Sequence, residues 1–255
     1  LPNFQVLAYR SACLFLGMLV CNSGQALTRA SAIALYGDPK YLSTSSGFEH
    51  VSQHAKPGGE VVLPAFGTFD TLNPYTLKGV SLTAATDQRM WGIDALNEPL
   101  MAGNSDYLYA PDEPMSAYCL VCSSVEFDEL YEKITFTIDS LARFHDGSPM
   151  TADDVAASYH LLTSEGAHPR FSDIYREVER VEVESPTRVS FHIKPGVGRQ
   201  ILFRLGELPV MSSAFWKNRR FGEALTTPPL LSGPYRVCNV ELGHSLELCK
   251  VPDFW

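Results

Sequence analysis

"ARFHDGSPMTADDVAASYHLL", Ala142 to Leu162, sets a histidine beside an aspartate, then a turn, then two more acids where the pattern predicts the start of a helix. Phe144 closes a short strand, and Asp146-Gly147 supplies the turn. Thr151 with Asp154 three residues on forms a capping box for the helix "ADDVAASYHLL". Asp153 and Asp154 fall where the helix dipole favours negative charge, a contribution of about 0.3–1 kcal/mol each. Val155, Tyr159 and Leu162 recur at helical spacing and share one face. Every polar residue of the stretch thus has a structural job, and none of them, His145 and Asp146 included, needs a catalytic role to account for it.

Working outward, "EKITFTID" alternates Ile134, Phe136 and Ile138 inward with Thr135 and Thr137 outward, the period of a half-buried strand. "VERVEVESPTRVSFHIK" repeats the device as a hairpin: Val181 and Val183 lead to the turn at Ser185-Pro186-Thr187, and Val189, Phe191 and Ile193 return. Nearer the start, "EVVLPAFG" from Glu60 reads as a strand by its β-branched run, followed by the turn-rich "TFDTLNPYTLKGV". A helix is predicted in "SLTAATDQRMWGIDAL", with Leu82, Ala85, Met90, Ile93 and Leu96 on one face and Ser81 or Thr83 at its cap. The fold class is therefore mixed α/β with antiparallel ribbons, and no fixed-period repeat or low-complexity tract is present.

The 255 residues are 45% hydrophobic and 19% charged, ordinary globular composition. A net charge of -9 without a basic cluster excludes a phosphate-neutralising surface, so nucleic acid is not an expected partner. "LPNFQVLAYR", the apolar "SACLFLGMLV" and "CNSGQA" have the layout of a secretory signal peptide, with cleavage expected after Ala26. The apolar run is shorter than the 18 or more residues of a membrane span. A lipoprotein reading at Cys21 lacks the small residue wanted just ahead of the cysteine, since Met18-Leu19-Val20 precede it. Residues 27–59, rich in Gly, Pro and Ser, are read as an extended arm, and residues 60–255 as the body.

With Cys13 and Cys21 assigned to the signal, Cys119, Cys122, Cys238 and Cys249 remain in a compartment that permits disulfides. "YRVCNVELGHSLELCK" reads as two strands around a two-residue turn at Gly243-His244, which sets Cys238 directly opposite Cys249 at a spacing a disulfide can bridge. Cys119-x-x-Cys122 is compatible with buried thiols, a second bridge, a redox pair or half of a zinc site. Metal binding has no further support, because histidines 50, 54, 145, 160, 168, 192 and 244 are scattered without ligand spacing. No Gly-x-Ser-x-Gly elbow or phosphate loop is present, and no cofactor is implied. Met211, Phe215 and Trp216 read as core.

"FHDGSPMTADDVAAS" closely resembles the signature of the extracellular solute-binding proteins of family 5, the peptide receptors of ABC importers, in which a Phe-x-Asp-Gly-x-Pro-x-Thr-Ala-x-Asp-Val run links a strand to a helix. "TLNPY", "LNEPLM", "LSGPYRV" and "VPDFW" agree with that family in order and spacing. "ALYGDPKY", "KPGGEV", "FGTFDTLNPYTLKG" and "GAHPRF" resemble its Yej-type branch, associated with oligopeptides and the peptide-nucleotide antibiotic microcin C. The resemblance implies a bilobal type II periplasmic-binding fold that closes on its ligand by hinge motion. It also implies that Trp255 falls short of the second lobe, so residues 60–255 are expected to be part of the first lobe with its inserted subdomain. A periplasmic, non-enzymatic monomer is expected, which captures oligopeptides and delivers them to a membrane permease and ATPase complex. Alternatives of a CxxC thiol-disulfide oxidoreductase and a periplasmic peptide chaperone stand beside it. The family's first-lobe contact comes from the segment before the first helix, here Lys78-Gly79-Val80-Ser81. Glycine there permits close backbone approach, Ser81 offers a hydroxyl and Lys78 a partner for a peptide carboxylate. Phe69 and Asp70 are secondary candidates, with core packing and support of the Asn73-Pro74 turn as their plain alternatives.

Overall fold

The computed structural model describes residues 27–41, 48–49, 51–52, 54–56, 58–64, 66–81, 96–103, 113 and 115–255. The signal peptide read over residues 1–26, His50, and the helix read after Ser81 as far as residue 95 lie outside them.

A five-stranded antiparallel sheet forms the largest layer, in the order β1-β5-β6-β8-β7. Its strands are β1 (Thr28–Ala30), β5 (Cys122–Phe127), β6 (Lys133–Ile138), β7 (Val178–Ser185) and β8 (Arg188–Ile193). Register places Phe127, Ile134, Phe191 and Val181 in one row and Val125, Phe136, Val189 and Val183 in the next. This apolar face is covered by helix α1 (Ala152–Leu162), which turns Val155, Tyr159 and Leu162 onto it. Tyr159 and Phe136 each meet Phe191 edge-on, with ring centroids 6.0 Å apart.

The opposite face departs from simple alternation, because Thr135, expected outside, is buried. Its hydroxyl pairs with that of Ser190 at 2.7 Å, and both lie beneath a lattice of long charged side chains. Arg188 donates to both oxygens of Glu126, Arg188 and Ser190 donate to Glu184, and Lys133 pairs with Glu184. These partners hold the Glu184 carboxyl down to about 2, with Lys133 the largest contributor.

A three-stranded sheet, β2-β4-β3, lies alongside, built from Ala32–Ala34, Ser116–Cys119 and Met101–Gly103. The segment read as an arm therefore contributes strands to two sheets, and Ile33 and Ala34 reach the core. Cys119 at the end of β4 is bridged to Cys122 at the start of β5, with Cα atoms 4.9 Å apart, which ties the two sheets at their crossover. Two short helices, α2 (Pro169–Ile174) and α3 (Gln200–Gly206), follow, and α3 packs against β3 and β4. Helix α4 (Ser213–Trp216) buries Trp216, while Met211 just before it is also in the core.

The last element is the hairpin of β9 (Tyr235–Glu241) and β10 (Ser245–Lys250). Cys238 and Cys249 are bridged there, with Cα atoms 5.7 Å apart, although they are not directly opposite. The loop has three residues rather than two: Glu241 faces Ser245, and Gly243 takes a φ of 79°. A bulge between Glu247 and Leu248 then shifts the ladder, so Cys249 faces Arg236 and Cys238 stands at the irregularity.

The strand expected in "EVVLPAFG" is not formed in its described residues. Val61, Val62 and Phe66 are 76%, 86% and 88% exposed. A β-branched run supplies propensity but needs a neighbouring ladder, and Pro64 removes one donor while Gly67 turns away at a φ of 106°. No helix among the described residues is long and apolar enough to cross a membrane.

The start of α1 is held by one acid. Asp154, 6% exposed, accepts from Thr151 N and Oγ1 through one oxygen and from Ser213 N and Oγ through the other, all at 2.8–2.9 Å. Hydrogen bonds to a charged group contribute about 1.5–3 kcal/mol, and a buried donor left unmade costs more than one never present. Asp154→Ala is therefore expected to lower unfolding stability by about 3 kcal/mol. The exposed Asp153→Ala should lower it by less than about 1 kcal/mol. Urea denaturation of the two variants, giving equal losses, would refute this division of labour.

Candidate ligand-binding site

The loop from Phe69 to Ser81 is closed on itself by its own acid. Asp70 N and Thr71 N both donate to Val80 O, at 2.9 and 3.3 Å, and Asp70 Oδ1 accepts from Val80 N at 2.6 Å. Thr71 and Ser81 form a parallel bridge beside it. Gly79 has a φ of 83°, and a Cβ there would collide with Asp70 Oδ1. Asp70 thus braces the Gly79-Val80 turn, not the Asn73-Pro74 turn.

Asn73 looks after that second turn. Its Oδ1 accepts from Tyr75 N at 3.0 Å, and its Nδ2 donates to Phe221 O at 2.7 Å, anchoring the loop to a segment far along the chain. Thr71 Oγ1 accepts from Asn73 N and Leu225 N, and Thr76 Oγ1 donates to Gly222 O. The Tyr75 ring stacks on Phe221 and meets Phe171 edge-on. The loop is a fixed platform.

Among the residues singled out from sequence, Lys78, Gly79, Val80, Ser81 and Asp70 are brought together on this platform. Phe69 is taken inside: 6% exposed, it joins Leu72 in a small cluster lined by Leu96, Val240, Leu246 and Leu248. Lys78 Nζ is paired with Glu223 Oε1 at 2.7 Å, and the ammonium holds that carboxyl below its usual range. Leu77 and Val80, 64% and 41% exposed, flank the pair on the outer surface. The platform thus offers a left-handed glycine backbone, two apolar side chains and a neutralised cation. Glu223 had no sequence signal, since 145 residues separate it from Lys78.

Behind the platform, three of the sequence landmarks meet. Ser232 N and Gly233 N of "LSGPYRV" donate to Leu96 O of "LNEPLM", and Glu98 N donates to Ser232 Oγ. His145 N donates to Leu231 O, and its Nε2 donates to Gly233 O at 2.7 Å. Burial, partly offset by that bond, lowers the His145 pKa, while Ser148 holds the Asp146 carboxyl down. Both residues are occupied in fixing a turn. Among the described residues, no three His, Cys, Asp or Glu side chains gather as a metal site would require.

Glu98 is one of the buried side chains that are not fully hydrogen-bonded. It is 2% exposed, its Oε2 has no hydrogen-bond partner among the described residues, and desolvation pushes its pKa up from 4.5 to about 8. Asn97 beside it donates to Tyr75 OH, yet its Oδ1 is likewise unpartnered among the described residues.

Comparison with known proteins bears on the whole chain. The profile of the "Bacterial extracellular solute-binding proteins, family 5 Middle" matches residues 121–255. The protein YejA of Escherichia coli K12 is 34% identical over 232 residues, covering 91% of this chain and 35% of that protein. The peptidoglycan-binding protein YepA of Agrobacterium fabrum is 30% identical over 249 residues, covering 96% of this chain and 39% of that protein. The chain therefore spans little more than a third of the length of these curated relatives. Among solved structures, the oligopeptide-binding protein AppA of Bacillus subtilis, in complex with a nonapeptide, superposes with a TM-score of 0.53. That likeness covers 74% of this chain and 35% of AppA at 16% identity, and it speaks for the fold alone.

The folded-state pKa of Glu98, about 8, stands above the ordinary 4.5, so the folded chain keeps a proton that the unfolded chain loses. Stability is then greatest below about pH 4.5 for this group and declines as pH rises through about 8. Glu98→Gln, which keeps the shape without the charge, is expected to abolish a decline on the order of 5 kcal/mol between those limits. Urea midpoints of both proteins measured across that range check it, and parallel profiles would sink it.

Proposed function

The chain belongs to the bacterial extracellular solute-binding proteins, family 5, and on that premise we propose that it forms one wall of a receptor that captures oligopeptides. Residues 1–26 are taken as a signal peptide removed on export to the periplasm, residues 27–59 as an arm and residues 60–255 as part of the first lobe. The receptor hands its ligand, as a monomer, to an ABC-importer permease and its ATPase.

The observation that carries this reading is the Lys78–Ser81 segment, held on the surface with Gly79 in a left-handed conformation over Asp70. A turn exposed and pre-shaped in this way can receive an extended peptide through the main-chain groups that Asp70, Thr71 and Thr76 do not already occupy, and such bonds are indifferent to side chains and so tolerate many sequences. Pre-shaping also spares the ordering cost that a mobile loop would incur on binding. The peptide reading draws further support from the bound nonapeptide named for AppA. A second reading, in which the peptide derives from the cell wall, is favoured by the likeness to the peptidoglycan-binding YepA over almost the whole chain.

The thiol-oxidoreductase alternative draws no comparable support. Cys119 and Cys122 are bridged where β4 passes into β5, and that bridge gives the pair a structural job. A family of binding proteins is also a poor source of a catalytic assignment.

Native mass spectrometry of the product of the intact gene, released gently and then denatured, tests the proposal. Short-peptide masses are expected to be released, with amino-sugar or diaminopimelate increments if the cell-wall reading holds. Gly79→Ala should weaken capture about tenfold or more, because a Cβ displaces Asp70 and with it the Val80 backbone. A protein that emerges bare from every preparation, and binds no added peptide, would overturn the receptor reading.

A further inference from the structure

We infer that Glu223 is a specificity residue, an internal carboxylate that neutralises Lys78 and competes with a ligand carboxylate for it. The inference rests on the receptor reading and on the placement of the ligand over the Lys78–Ser81 segment.

Three observations carry it. Lys78 Nζ lies 2.7 Å from Glu223 Oε1, the spacing of a charge-assisted hydrogen bond, so the charge a peptide carboxylate would seek is already answered. The two side chains are 62% and 49% exposed, so the pair sits at the surface where a ligand arrives and can be exchanged without unfolding anything. Their backbones are independently fixed. Lys78 N donates to Thr76 Oγ1, Thr76 Oγ1 donates to Gly222 O, and Glu223 N donates to Arg220 O, so the carboxylate is delivered to the ammonium from a rigid neighbour.

The charge balance follows. Lys78 with Glu223 is a neutral pair, and Leu77 and Val80 beside Lys78 in the chain are exposed and apolar. A ligand carboxylate that takes Lys78 must compete with Glu223 for it. Such an exchange swaps one ion pair for another of the same kind and gains little. A free peptide carboxyl should then bind no better here than its amide, and the platform selects against acidic ligands that a bare lysine would attract. Deleting the charge at Glu223 frees Lys78 and reverses the preference.

The test uses the product of the intact gene and a defined mixture of tri- to pentapeptides, offered with free C termini and as C-terminal amides, with bound masses read by native mass spectrometry. The wild type is expected to take acids and amides about equally. Glu223→Gln should favour the free acids about two- to fivefold, the range set by exposed ion pairs, and Lys78→Met added to it should erase the gain. An acid-to-amide ratio unchanged by Glu223→Gln, with peptides still bound, overturns this inference and leaves the receptor reading standing. A wild type that binds neither mixture overturns both. A gain that persists in the double variant also overturns it, because the added affinity then does not pass through Lys78.

Discussion

The fold depends on a carboxylate that has been taken out of water and fully satisfied. Asp154 starts a helix, as many acids do, but both of its oxygens are spent, one on Thr151 and the other on Ser213. Such a group is costly to bury and costly to leave unpaired, so it ties the start of α1 to the start of α4 wherever the chain between them travels. The neighbouring bonds follow from that fixed point. Ala152 N reaches Pro186 O in the β7–β8 turn, and Ser158 Oγ receives Met211 N. The helix that covers the sheet is thereby registered against both the hairpin beneath it and the segment that follows α3.

The same frame explains why an exposed loop can hold a definite shape. Residues 221–225, which follow α4, meet the Phe69–Ser81 loop through the backbone of Phe221, Gly222 and Leu225. His168 N adds a bond to Tyr75 O, and Tyr75 is stacked on Phe221. The close approach of Gly166 to Gly222, where a Cβ on either would come within 2.8 Å of the other's backbone, lets these segments pass with nothing between them. Order travels from a buried acid to a surface turn through short, satisfied steps, and the positive φ at Gly79 is one that glycine adopts without strain.

What could be read in the sequence was what is local. The capping box, the turn at Asp146-Gly147 and the β7–β8 hairpin are written in residues a few positions apart, and family resemblance lay in the same short motifs. The β9–β10 hairpin marks the boundary: its turn residues were plain, but one residue more in the loop and a bulge beside Glu247 altered the facing pairs. The run at Val61 and Val62 failed for a different reason, since propensity is a property of the segment and pairing a property of its neighbour. Thr135 was mistaken because alternation predicts which face a residue takes, and here the polar face is roofed by Arg188, Glu126, Glu184 and Lys133. At the candidate site, Lys78 and Gly79 announced themselves as a turn, whereas Glu223 and Phe221 came from the far side of the chain. The brace from Asp70 to Val80 was also hidden, because an acid ten residues upstream carries no motif.

Two glutamates show how the surroundings, more than the residue, decide what an acid can do for a binding protein. Glu98, withdrawn from water and without a cationic partner among the described residues, keeps its proton near neutral pH. Glu223, open to solvent and against an ammonium, is ionised throughout the same range and acts at contact distance. The chain's net charge of -9 acts differently from either, because at physiological ionic strength fields fade over about 8 Å. A diffuse negative surface biases which ligands approach, favouring cationic ones, but it cannot choose between two molecules already at contact distance. That choice falls to groups within hydrogen-bond reach, and on this platform the nearest such cation is already answered by a carboxylate of its own chain.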